Sequence, residues 1–238
     1  MNEKSKFIGK RVVALAIVLA SACALASAKP KDPFEGLWPE AQTAKEYPAS
    51  KTLKATPLVA GQYVITGTTV KGKKDSVSKS LIVGKEGNGW IFEAVGIDKK
   101  GKKSVMQMLL VGFDAAMKTG DASGIAIGWI KMLGDDGQVQ TIEGDQLAFF
   151  NAIVKPMYEK MIVNTDAYVD GGPVTVPAGN FAGTVKIHST AKIMGMKIES
   201  DSWLSNAVPM GGMVKSTDGQ NVTELLSFGT DGKSELPK

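Results

Sequence analysis

The chain has 238 residues, with 28 basic and 24 acidic side chains, a formal net charge of +4, one histidine and one cysteine. Arg11 is its only arginine, so no guanidinium fork is available downstream for bidentate recognition of phosphate or guanine, and a nucleic-acid partner is not expected. His188 and Cys23 standing alone exclude a disulfide framework and a zinc site built from several cysteines or histidines.

In chain order, Lys4, Lys6, Lys10 and Arg11 precede an apolar run from Val12 to Ala20 and small residues ending in Ala26-Ser27-Ala28. This is the charged, apolar and small-residue order of a secretory signal over residues 1–28, with a mature start expected at Lys29. A spanning helix would need about 20 consecutive apolar residues, more than the run supplies without the cleavage region. Leu19-Ala20-Ser21-Ala22-Cys23 offers a second reading, a lipoprotein box with its leucine one place too far from the cysteine, which would anchor the protein through Cys23. Both readings predict an exported protein, periplasmic or envelope-associated. Residues 1–28 hold four of the bases and one of the acids, leaving a nearly neutral remainder of 24 against 23.

Residues 29–60 carry Pro30, Pro33, Pro39, Pro48 and Pro57, so no long helix fits, and an extended arm is predicted. Phe34, Leu37 and Trp38 have the spacing of one helical turn, whose apolar face should dock on the body. Residues 61–238 are expected to form one domain. From Gln62 to Leu110 four runs rich in Val, Ile, Thr and aromatics are separated by turns at Gly72, Gly87-Asn88-Gly89 and Gly101, an antiparallel meander. Phe113 to Gly124 reads as a short helix or loop. A hairpin follows, Ile125 to Leu133 and Gln138 to Ile142. Leu147, Phe150, Ile153, Val154, Met157, Tyr158 and Met161 then recur at helical spacing, predicting a helix over 145–163 with a kink at Pro156. Asn164 to Gly172 reads as a loop. Strands are expected at Val174 to Val176, Thr184 to Ile193, Met196 to Leu204, Met213 to Lys215 and Val222 to Phe228.

If Met194-Gly195 is a two-residue turn, Val185, Ile187, Ala191, Ile193, Met196, Ile198 and Leu204 share a face and His188 falls opposite Asp201. Ser189 and Ser202 then point to the other face, so the pair has no nucleophile, and a cross-strand polar contact is the simpler reading. Asp135-Asp136, Asp218-Gly219 and Asp231-Gly232 fit turn chemistry, and Gly84 to Gly89 lacks the ending of a phosphate loop. No enzyme activity, cofactor or metal is predicted. Ten methionines follow Met1, and unbranched polarizable side chains can repack around varied apolar guests. A cavity between sheet and helix would be lined by Met106, Met108, Phe150, Met157, Met161 and Met196; the alternative is an ordinary filled core. Alternate turns of a meander share an end, which gathers Lys73, Lys74, Lys99, Lys100, Lys102 and Lys103 into a basic tip. Such a tip either solubilises the turns or faces an anionic membrane surface.

Val176-Pro177-Ala178-Gly179-Asn180-Phe181, then Trp203, then Val208-Pro209-Met210-Gly211-Gly212-Met213-Val214-Lys215 is similar to a pattern in exported bacterial proteins of the LolA, LolB and RseB type. The resemblance covers about the last 55 residues and implies a curved antiparallel half-barrel around a helical plug, binding lipid, acyl chains or envelope partners. It carries no catalytic motif, and the arginine that LolA-type chaperones use in their cavity has no counterpart here. The expectation is therefore an α+β, mostly antiparallel β protein. A curved half-barrel sheet of about ten strands holds one principal helix on its concave face and binds a lipid or other apolar ligand. The alternative is a structural or surface envelope protein that contacts other proteins.

Overall fold

The computed structural model describes residues 32–40, 44–54, 56–119, 124–148, 164–193 and 196–237. Its strands are β1 (Glu46–Tyr47), β2 (Tyr63–Val70), β3 (Lys73–Glu86), β4 (Gly89–Asp98), β5 (Lys103–Val111), β6 (Ala126–Leu133), β7 (Val139–Ile142), β8 (Asn164–Val176), β9 (Gly179–Ile193), β10 (Met196–Leu204), β11 (Met213–Thr217) and β12 (Asn221–Gly229), with helix α1 at Phe113–Thr119. Turn chemistry fixes the hairpins. Lys71 and Gly72 both have positive φ, as a type I′ connection between β2 and β3 requires, and Gly87 alone does so between β3 and β4, as in type II′.

The twelve strands form one open sheet. β2 to β7 are a meander and β8 to β12 a second, and the two are joined through the β12·β2 pair. All pairings are antiparallel except β1 with β9. β8 and β1 both pair with Asn180 and Phe181, so they lie on opposite edges of β9; β1 therefore runs in the lane of β10, beyond its end at Leu204. The β9–β10 register is the one hydrophobic alternation specifies, with Asp201 opposite His188. Two differences from expectation stand out. The proline-rich arm contributes a further strand, β1, and residues 164–172, expected as a loop, lengthen the strand expected at Val174–Val176 into β8. Asp170-Gly171-Gly172-Pro173 looks like a loop because it is an irregular edge: register shifts fall at Thr165/Ala167, Asp170/Gly172 and Gly172/Val174. An edge tolerates Pro173, and bulges there resist pairing with other chains.

The two faces differ. On one, the strap face, register aligns Gly67, Val77, Ile97 and Lys103, then Ile65, Lys79, Val95 and Val105, then Leu81, Glu93 and Gln107. The arm's turn covers its first rows. Phe34 packs with Val77 and Leu226, and Trp38 lies over Gly67, where a Cβ would come within 2.7 Å of the indole. Leu37 of the same turn is exposed. The C-terminal strap, residues 230–237, covers the rest by placing Leu236 against Val95 and Val105. Glu93, 2% exposed, holds the strap: its carboxylate accepts from the backbone N–H groups of Glu235 (2.9 Å) and Leu236 (3.3 Å), from Ser234 Oγ (2.6 Å) and from Gln107 Nε2 (2.8 Å). Four donors around one carboxylate make its burial tenable.

On the other, the cavity face, the rows are Thr68–Ser76, Thr66–Ser78–Gly96–Ser104, Val64–Ser80–Ala94–Met106–Met132 and Ile82–Phe92–Met108–Ile130–Ile142. Most of these side chains are half-buried. At one end the sheet arches over this face. Phe181 of β9, fully buried, clusters with Leu225 of β12 and Val64 of β2, three and four strands away, where a flat sheet would hold them about 14 and 19 Å apart. The N–H of Ala178 in the β8–β9 turn reaches the Leu225 carbonyl at 3.0 Å, beside a register shift in β12 between Leu225 and Ser227. Of the residues that carry the half-barrel resemblance, Val176, Ala178, Phe181, Val208 and Val214 fall in this one cluster, while Trp203 lies on the strap face. At the other end residues 144–148 are helical, and Leu147 packs on Ile127 and Ile130 beside Met106, Met108 and Met132. Residues 1–28 and 149–163, on which the signal and most of the expected helix fall, lie outside the described residues.

Candidate functional site: a cavity under the arm and the β10–β11 loop

A cavity of about 420 Å³ opens on the cavity face. Three elements build it. Phe92 of β4 and Phe113, the first residue of α1, meet edge to face with ring centroids 5.3 Å apart. Asp114 fixes α1 there by accepting from Trp90 Nε1 and Lys85 Nζ, each at 2.6 Å. The second element is the β10–β11 loop, residues 205–212, which presents Val208 and Met210. Its tight path needs positive φ at Met210, Gly211 and Gly212, and a Cβ on Gly212 would meet the Ser205 carbonyl at 2.7 Å. Met210 is the residue without glycine's freedom in that run, and its strained conformation turns its side chain toward the cavity.

The third element is the arm beyond β1, which supplies Leu53, Lys54, Thr56 and Leu58. It is fastened to the loop by polar side chains. Ser50 N–H donates to the Gly183 carbonyl (2.9 Å), and the Ser50 and Ser205 hydroxyls share a hydrogen bond (3.3 Å). Asn206 then clips the arm at two points, donating from Nδ2 to the Thr52 carbonyl (2.7 Å) and accepting the Lys54 N–H (2.8 Å). The result is an apolar interior of Leu53, Leu58, Phe92, Phe113, Val208 and Met210 with polar groups at its margin. That is the ordinary composition of a small-molecule site.

The residues singled out from sequence are placed as follows. Met108 lies directly opposite Phe92 across the β4–β5 pair, and Met106 is one row further along the same face. Met196 is on β10 opposite Ile193. Phe150, Met157 and Met161 lie outside the described residues. Leu53, Leu58, Phe113 and Met210, which line the cavity, were not anticipated; the available signals were two leucines in an arm otherwise rich in proline and lysine, and a Pro-Met-Gly-Gly turn whose methionine must take positive φ.

The expected basic tip exists as one end of the meander, but carboxylates enter it. Lys74 is 3.8 Å from Asp32, Lys99 2.9 Å from Asp75, Lys102 3.0 Å from Asp135 and Lys103 2.7 Å from Glu235, while Lys73 and Lys100 are exposed. Asp98 accepts from the Lys100 and Lys102 N–H groups, each at 2.8 Å, so it serves the turn. The hydrogen bond and charge of Asp75 hold the Lys99 ammonium above the usual lysine range. The acids of the fifth turn and of the strap come from distant sequence, and they offset charge that the first and third turns alone leave unbalanced.

His188 Nδ1 is 2.8 Å from Asp201 on the strap face, where Lys186 also reaches Asp201 at 2.9 Å and lies 5.0 Å over the Trp203 ring. Lys186 first, then His188, hydrogen-bond the Asp201 carboxyl and hold it below the usual carboxylate range. Ser202 points the other way and bonds Ser216 at 3.0 Å. A group of three metal-ligating side chains does not occur among the described residues, nor is any described helix long and apolar enough to cross a membrane.

No family model and no curated protein matches this chain. Among solved structures, it is similar to the crystal structure of a protein of Bacteroides fragilis NCTC 9343, inferred to be exported and with a YmcC-like fold, at 13% identity and a TM-score of 0.32 over 73% of this chain and 97% of that one.

Proposed function

We propose that this chain is an exported envelope protein that shelters an apolar ligand, such as an acyl chain, against the cavity face of a half-barrel sheet. The observation that supports this reading is the cavity itself, about 420 Å³ with six apolar side chains inside it. Burying hydrocarbon there is favourable by about 0.8 kcal/mol per methylene, so a chain of modest length suffices for binding. Leu147 sits beside Met106 and Met108, so apolar side chains continue along the cavity face beyond the cavity. The reading is non-enzymatic: His188 and Asp201 form a cross-strand pair that Lys186 completes, with Ser202 turned to the opposite face. The basic tip is secondary, since four of its six lysines have carboxylates beside them.

The test is titration of the protein with N-phenylnaphthylamine, a neutral dye that fluoresces in apolar surroundings, followed by displacement with lauryl alcohol. Saturable binding is expected, and Leu58→Trp should weaken it at least about tenfold by filling the space, with thermal stability little changed. Absence of saturable binding to the parent would favour the alternative, an envelope protein with a filled interior used for protein contacts.

A further inference from the structure

Lys54 is the one charged residue among the described residues that line the cavity. Its backbone is held by the Asn206 clip, which accepts the Lys54 N–H at 2.8 Å while donating to the Thr52 carbonyl two residues earlier. The clip fixes where the side chain starts, at the seam between arm and β10–β11 loop, and Lys54 is exposed there. Among the described residues no carboxylate lines the cavity and no ion pair engages Lys54. This sets it apart from most lysines of the tip and from Lys79, Lys85, Lys186 and Lys215, each of which lies against an acid.

An exposed lysine lining an apolar cavity, with Thr56 and Asn206 also in the lining, suits a single-chain amphiphile whose tail enters and whose anionic head stays at the opening. We infer that Lys54 makes the cavity selective for amphiphiles with an anionic head, carboxylate or phosphate, over neutral ones of the same tail. This rests on reading the cavity as an apolar-ligand site. Both heads can accept from the ammonium, but only an anionic head adds charge–charge attraction to that hydrogen bond. A solvated margin weakens that bond, so the preference should be about three- to tenfold. It should shrink as salt shortens the Debye length.

The experiment displaces N-phenylnaphthylamine from the parent, Lys54→Gln and Lys54→Arg proteins with laurate, lauryl phosphate and lauryl alcohol at low and high salt. The parent should prefer both anions over the alcohol. Lys54→Gln should lose that preference while binding the alcohol and the dye as before, and Lys54→Arg should keep it. Comparing laurate with lauryl phosphate tells which anionic head the margin fits better. Equal affinity of the parent for laurate and lauryl alcohol, or an undiminished preference in Lys54→Gln, would overturn the inference and leave the apolar-ligand reading standing. If neither dye nor amphiphile binds the parent, that reading fails and the inference with it. Lys54 is exposed and its backbone makes the clip, so thermal midpoints of the three proteins should coincide.

Discussion

The strap face and the cavity face are built from the same strands yet are finished differently. On β5 the alternation is plain: Val105, Gln107 and Leu109 are buried under the strap side, while Met106, Met108 and Leu110 are half-buried on the other. The strap face is closed by the chain's own ends, and even its buried carboxylate has four donors. The cavity face is closed at the Phe181 end, floored elsewhere by serines, threonines and methionines, and open at the cavity. Packing is therefore tight on the strap face and at the Phe181 end, and looser along the half-buried stretch of the cavity face. Perturbations should separate the tight regions from the looser one by the size of their effect on stability.

The largest loss is expected where the cavity face is sealed. Phe181→Ala removes a fully buried ring from the cluster joining β9 to β12 and β2, and should cost about 3–5 kcal/mol in urea denaturation. Next comes the strap face: Glu93→Ala strands the donors of Ser234, Glu235, Leu236 and Gln107, and should cost about 3 kcal/mol. Deleting residues 233–238 should reproduce most of that loss, because the same bonds go. Met106→Ala on the half-buried cavity face should cost only about 1 kcal/mol, below the range for a fully buried methionine. A cost equal to that of Glu93→Ala would erase the distinction between the tight regions and the half-buried stretch.

A smaller effect is linked to pH. Burial pushes the Glu235 carboxyl up, but hydrogen bonds from Lys103 and Lys79 outweigh it and hold the group below its ordinary value of 4.5. A carboxylate depressed in the folded state contributes fully above its unfolded value, and that contribution disappears as pH falls through the folded one. The denaturation midpoint should therefore fall more steeply with acid in the parent than in Glu235→Gln, below about pH 4.3. Parallel curves would remove Glu235 from the strap's grip. The smallest effect belongs to the tip, where each lysine to glutamine change should alter stability by under about 0.5 kcal/mol. Changing all six should lower flotation on anionic vesicles at low salt alone.

Local chemistry made part of this molecule legible. The hairpin that pairs His188 with Asp201 follows from alternation, and the turns at Gly72 and Gly87 follow from the φ angles that tight connections demand. Phe34 and Trp38 announced a docking turn. What stayed hidden depends on contacts distant in sequence. Glu93 and Ser234 are 141 residues apart, so nothing near Glu93 explains why an acid is buried between Phe92 and Ala94. Distance in sequence likewise hid Glu235, which lies beside Lys103 at the tip. β8 was obscured because its bulges and Pro173 imitate a loop, and the cavity because its walls come from an arm and a loop that carry no periodic pattern.

Whether the cavity face accommodates an apolar guest can be read by native mass spectrometry of the protein purified without detergent from the envelope fraction of the cells that express it. A population heavier than the bare chain by the mass of one lipid or fatty acid is expected, released by gentle activation and markedly reduced in Leu58→Trp. A single bare mass in the parent, unchanged after incubation with laurate and lauryl alcohol, would contradict it.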